Sequence, residues 1–87
     1  MSHCEPANSI ICLLGGIRPV AAAARTTETT VRRWRLPIAS GGTGGFIPRK
    51  NFASLVEFAR SQGIELPVAA FFERDAVPKP TQGEEAA

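Results

Sequence analysis

An 87-residue chain has room for one domain, and a domain of that size is only modestly stable on one hydrophobic core, a deficit that dimerisation would offset. Its 44% hydrophobic and 21% charged residues exclude wholesale disorder and suit an ordinary globular protein. The net charge of +2 hides an asymmetry: Arg18 to Lys50 holds seven basic residues against the single acid Glu28, a local charge of +6, while residues 51–87 sum to −3.

Residues 1–6 predict an unstructured lead-in ending at Pro6. His3, Cys4 and Cys12 lie near one another in sequence, but a zinc site normally wants four ligands at short paired spacings, so the cysteines are taken as thiols, with no metal expected. A first short helix follows, for which Asn8 or Ser9 offers a capping oxygen and Ile10, Leu13, Leu14 and Ile17 an apolar side. Gly15-Gly16 stops it, because glycine accepts the left-handed conformation common at helix ends. The apolar stretch Ile10 to Ala24 is not expected to be a signal peptide, because nothing basic precedes it and Gly15, Gly16, Arg18 and Pro19 interrupt it. No run reaches the ~20 apolar residues a spanning helix needs, so no membrane association and a cytoplasmic location are expected.

A second helix is predicted from near Arg18 to about Arg25, with Pro19 in its first turn, where a missing N–H costs nothing. The run Ala21 to Ala24 combines high helix propensity with side chains small enough for close approach by a neighbour. Thr27 is a good N-cap for a third helix, and Glu28 suits its first turn. At ~100° per residue, Thr27, Thr30, Val31 and Trp34 share one face, while Glu28, Thr29, Arg32, Arg33 and Arg35 spread across the other. The third helix ends before Pro37.

Residues 40–45, Ser-Gly-Gly-Thr-Gly-Gly, read as a flexible loop. They lack the Gly-Lys-Ser/Thr of a phosphate-binding loop and the spaced glycines of a dinucleotide site, so no cofactor is expected. Pro48 opens a fourth helix carrying Phe52, Leu55, Val56 and Ala59 at helical spacing, with Phe58 extending the stripe and Gly63 closing it. Pro67 begins a short fifth helix through Arg74. The apolar residues Leu66, Val68, Phe71 and Phe72 exceed what the last helix of a small monomer needs. A disordered tail is expected over residues 76–87, leaving a domain over 7–75. The predicted fold is all-α, a small bundle of about five helices.

The chemistry concentrates on the third helix. Arginine's planar fork matches guanine O6 and N7, threonine reaches a base edge or a thymine methyl, and glutamate accepts from cytosine N4. Glu28, Thr29, Arg32 and Arg33 lie on adjacent parts of one exposed face, so they suit one groove of double-stranded DNA. Glu28 equally serves as a first-turn acid that stabilises the helix. Trp34 is expected to pack rather than stack on a base. Arg49 and Lys50 follow Pro48 at a helix start that already favours an anion, and Arg18 has the same placement on the second helix, so these three are expected on phosphates. No grouping of His, Cys and carboxylates resembles a catalytic site, and the one histidine is His3, so no enzyme is expected.

Residues Ile10 to Arg35 resemble the Cro/CI-like helix-turn-helix regulators of phages and mobile elements, and Gly-Gly-Thr-Gly-Gly-Phe-Ile-Pro followed by a helix extends the likeness to about residue 66. The resemblance implies a lambda-repressor/Cro-like helix-turn-helix. Ala21, Val31 and Trp34 then fall at packing positions, and Thr27, Glu28, Thr29, Arg32 and Arg33 at base-contacting ones. Arg18, Arg25, Arg35, Arg49 and Lys50 are expected on the DNA backbone. The chain departs from the family at the turn, where Arg25 replaces the usual glycine and Thr26 an aliphatic residue. Either the turn differs, or Arg25 adopts the left-handed conformation at a steric cost.

These expectations combine into a transcriptional regulator, a repressor in the first instance, that binds a palindromic operator as a homodimer. Its two reading helices would lie about 34 Å apart, one turn of DNA. Phe58, Leu66, Val68, Phe71 and Phe72 are expected at the dimer interface. The alternative is a phage- or mobile-element-encoded adaptor that docks a host protein, suggested by the apolar segment Leu66 to Phe72 and the acidic C-terminal third.

Overall fold

A computed structural model describes residues 3–78 of the chain, and every regular element among them is helical. Four α-helices follow in order: α1 (Ala7–Leu13), α2 (Ile17–Ala24), α3 (Glu28–Trp34) and α4 (Phe52–Ser61). The expected all-α bundle is therefore observed, with one α-helix fewer than predicted. Among the described residues no single helix is long and apolar enough to cross a membrane, and α1 and α2 are bent by 96° relative to each other.

The cap of α1 comes from an unexpected residue. Glu5 Oε1 accepts the Ser9 N–H at 2.9 Å and the Ser9 hydroxyl at 2.6 Å, so Ser9 donates where the sequence suggested that it or Asn8 would accept. The carboxylate thus satisfies an N–H that the first helical turn leaves open. Burial pushes the Glu5 carboxyl up, but the hydrogen bonds from Ser9 and Asn8 and the charge of Arg74 outweigh it and hold the group below the usual carboxylate range.

Three of the four helices end in the same hydrogen-bonded turn. At α1 the Gly15 and Gly16 N–H groups return to the carbonyls of Cys12 and Ile11, at α2 those of Arg25 and Thr26 return to Ala22 and Ala21, and at α4 those of Gly63 and Ile64 return to Arg60 and Ala59. This pairing needs a left-handed residue just past the helix. Glycine supplies it at Gly15 (φ 105°) and Gly63 (φ 77°), whereas α2 uses Arg25 at φ 58°. The turn between α2 and α3 thus keeps the geometry that usually calls for glycine, with arginine accepting the steric cost.

The helices close on a core whose largest fully buried side chains are Trp34, Phe71, Ile10, Ile11, Leu55, Val20 and Val31. Each such side chain contributes about 1.5–3 kcal/mol by leaving water. Val20 and Ala21 of α2 and Val31 and Trp34 of α3 are buried in one core where the two helices pack together, as expected for Ala21 and for Trp34.

Beyond α3 the chain departs from its predicted course in four places. The glycine run 40–45, expected to be flexible, is folded onto the end of α3: Gly42 N–H bonds Pro37, Thr43 N–H bonds Arg33, and Gly44 N–H bonds Leu36. The fourth helix begins as a 3-10 turn over Arg49–Asn51 before becoming α4. In place of a fifth helix there are two 3-10 turns, Val68–Phe71 and Arg74–Ala76, because Pro67 starts a new turn and Glu73 is extended between them. Ala76 and Val77 pack against the core, so the ordered chain continues past the expected boundary at residue 75. The rest of the predicted tail, residues 79–87, lies outside the described residues.

The apolar segment 66–72 divides between core and surface. Leu66 and Phe71 are buried, Phe71 at 1% exposure and stacked on Phe52 with ring centroids 4.0 Å apart. They serve the chain's own core, which removes them from the expected dimer contacts. Val68 and Phe72 are each 58% exposed, and Phe58 is half-buried against the core.

Candidate nucleic-acid interface

Five of the seven cations of the basic block, Arg18, Arg25, Arg32, Arg33 and Arg35, lie on α2, α3, the turn between them and the residue after α3, and Arg49 and Lys50 lie on the 3-10 turn before α4. Thr27 caps α3 as expected: its Oγ1 accepts the Thr30 N–H at 3.1 Å and donates to Thr30 Oγ1 at 3.0 Å. That cap fixes where the helix starts, and hence which residues face away from the core. Val31 and Trp34 point inward and are buried, while Thr29, Arg32 and Arg33 are exposed. Thr27 is exposed as well, although the helical wheel placed it on the packing side, and its hydroxyl is engaged in the cap.

Glu28 sits between two arginines from different helices. Its Oε2 lies 3.4 Å from Arg18 Nε at the start of α2, and its Oε1 lies 3.4 Å from Arg32 Nη2 one turn along α3. The side-chain exposures are 88% for Arg18, 51% for Arg32 and 40% for Glu28, so both pairs stand in solvent. Exposed pairs of this kind contribute about 0–1 kcal/mol each to stability. Their effect is therefore on side-chain direction more than on folding. The sequence flagged Glu28 as the lone acid in a basic block, and that was the available signal for this cross-helix link.

The other cations of the basic block occupy four settings. Arg25 is exposed at the corner between α2 and α3, and Arg49 and Lys50 are exposed on the 3-10 turn leading into α4. Arg33 lies beside Arg32 on the outer side of α3 with no acidic partner among the described residues. Arg35 departs from expectation. It is half-buried, and its Nε is enclosed without a hydrogen-bond partner, so it does not share the open face of Arg32 and Arg33.

The sequence reading missed what holds the far end of α3. Pro37 has no N–H to offer the Arg33 carbonyl, and the Thr43 N–H takes that place at 2.9 Å. The Thr43 hydroxyl reaches the Trp34 carbonyl at 3.1 Å, and the Cys4 N–H reaches that of Arg35 at 2.7 Å. Thr43, flanked by two glycines on each side, was the available hint. Gly42 is required here because a Cβ would strike the carbonyl oxygens of Leu36 and Arg33, and Gly45 because one would strike that of Glu5.

Cys4 and Cys12 are free thiols, and no group of three or more His, Cys, Asp or Glu among the described residues is placed to hold a metal ion. Comparison with protein-family models, with curated proteins and with solved structures finds no match to this chain.

Proposed function

We propose that this chain is a sequence-specific DNA-binding regulator of the Cro/CI-like helix-turn-helix type, with α3 as the helix that enters the major groove. The observation that carries the reading is the division of α3: Val31 and Trp34 are buried against α2, while Thr29, Arg32 and Arg33 stand exposed in the segment of charge +6. A groove-reading helix needs this combination of an anchored face and a donor-rich face.

In this reading Arg32 and Arg33 take guanine edges, and Thr29 takes a base edge or a thymine methyl. Thr27 contributes less than the family pattern implies, because its hydroxyl is occupied by the cap. Arg18, Arg25, Arg49 and Lys50 neutralise phosphates on either side of the groove, setting affinity and register without reading sequence. Arg35, half-buried, is left out of that set. The protein acts in the cytoplasm as a homodimer on a palindromic operator, represses transcription, and performs no catalysis.

Selection from a pool of randomised duplexes tests the reading directly. The full chain should enrich a two-fold symmetric site, and Arg32→Ala with Arg33→Ala should abolish the enrichment while leaving the fold intact. Failure to enrich any sequence would sink the proposal. A second reading, a docking adaptor for a host protein, draws on the exposed Val68 and Phe72 beside Glu73 and Asp75. It requires an absence of steep salt dependence toward DNA, whereas phosphate-driven binding loses affinity with a log–log slope of about −0.9 per phosphate contacted.

A further inference from the structure

We infer that Glu28 is a positioning residue, which holds Arg32 for base reading and couples it to Arg18 at the groove edge, rather than a reader of bases itself. The inference rests on the DNA-binding reading above and specifies how its central helix achieves selectivity. The geometry carries it: the two carboxylate oxygens are divided between two guanidinium groups, Oε1 toward Arg32 and Oε2 toward Arg18, each at 3.4 Å.

Charge explains why an acid is tolerated at this place. Glu28 is the single acidic residue between Arg18 and Lys50. A carboxylate facing the phosphates of a groove is repelled unless cations neutralise it, and here one cation lies on each oxygen. The pairs also have a directional consequence. Arg32 is a long side chain with many rotamers, and a partner one turn back along the helix restricts where its planar fork points. Bidentate reading of guanine depends on that direction, whereas attraction to phosphate does not. Glu28 therefore favours guanine recognition by holding Arg32 away from phosphates, and it moderates the hold of Arg18 on the phosphate at the groove edge.

The test is a double-mutant cycle in the full chain, using a duplex selected from a randomised pool and a random duplex of the same length. Glu28→Gln should lower the preference for guanine at the pair read by Arg32 by about threefold, within what one exposed ion pair can bias and a part of what one bidentate contact supplies. It should also tighten binding to the random duplex severalfold at about 0.1 M salt, because a carboxylate leaves the surface that faces the phosphates and Arg18 holds its phosphate without sharing its charge. In an Arg32→Ala background, Glu28→Gln should no longer change base preference. A change of equal size in both backgrounds would show that Glu28 reads a base directly, and no change in either would equally overturn the inference. Nuclear magnetic resonance of the arginine side chains in the DNA-free protein separates this question from the reading it rests on. Wild-type Arg18 Nε–H and Arg32 Nη signals should show slowed exchange that Glu28→Gln removes. If they are insensitive to Glu28→Gln, the positioning role fails whatever DNA does. If they respond but no duplex binds, the coupling stands and the DNA-binding reading fails.

Discussion

The Thr43 hydroxyl lies 3.1 Å from the carbonyl oxygen of Trp34, joining the glycine loop to the last residue of α3. The same hydroxyl accepts the Phe46 N–H at 3.2 Å and has the Phe46 carbonyl within donating distance, so its one proton is shared between the Trp34 and Phe46 carbonyls and one small side chain ties the helix end to the loop. The need for it begins at Pro37, which ends α3: the Arg33 carbonyl loses its i+4 donor and keeps, along the helix, only the Leu36 N–H at 3.2 Å, and the helix does not continue to supply one for Trp34. Thr43→Val keeps the shape and removes these bonds. It should cost about 1–2 kcal/mol, a fall in melting temperature of about 4–16 °C for a domain of this size. Thermal unfolding followed by circular dichroism measures this, and an unchanged melting temperature would show the loop is not the brace described.

Arg25→Gly should stabilise the protein and weaken its hold on DNA, two effects that ordinarily go together in one direction. Arg25 has φ 58° in a turn whose counterparts after α1 and α4 use Gly15 and Gly63. Removing the side chain relieves the left-handed penalty, partly offset by greater freedom of the unfolded chain, for a net gain of about 0.5–1 kcal/mol. The melting temperature should rise by about 2–8 °C. If Arg25 meets a phosphate, the salt slope of DNA binding should fall by about 0.9. A destabilised Arg25→Gly protein would contradict the account of the turn.

Much of the candidate site was legible in the sequence, and most of what was not depends on contacts distant along the chain. Thr27 before Glu28 marked the start of α3, and the spacing of Val31 and Trp34 marked its buried side, because caps and helical periodicity are local properties. The fold of residues 40–45 was not legible, since those glycines bond carbonyls whose availability is decided several residues earlier by Pro37. Nor could Phe71 be told from Phe72: core and interface both select apolar residues, and only tertiary packing assigns one ring inward and its neighbour outward. The Glu5 cap escaped because glutamate is not among the preferred capping residues, and it acts here from outside the helix.

Acid should loosen the N-terminal end of the fold through Glu5. Its pKa is lowered on folding, so it binds a proton less readily in the folded chain than in the unfolded one. The stabilisation is then complete above the ordinary glutamate value and is lost as pH falls through the lower folded value. Melting temperatures recorded between pH 7 and pH 3 should fall at the acid end. Glu5→Gln, which keeps an acceptor for Ser9 but cannot titrate, should flatten that limb. Identical acid limbs in the two proteins would remove Glu5 from the explanation.

Phe71 and Phe72 should separate folding from assembly. Phe71 is 1% exposed and stacked on Phe52, so Phe71→Ala opens a cavity and should cost about 3–5 kcal/mol. That approaches the whole stability of a small domain, and the variant should be largely unfolded at 37 °C. Phe72 meets Phe52 only edge-on, at 5.7 Å between centroids, and is 58% exposed. Phe72→Asp should therefore change stability by no more than about 1 kcal/mol. If Val68 and Phe72 join two copies of the chain, the charge introduced at the patch should convert a dimer to a folded monomer in sedimentation velocity, with a parallel loss of operator binding. A Phe72→Asp protein that sediments as the wild type does would move the dimer contact elsewhere on the surface, while the Phe71→Ala result would still stand as a property of the core alone.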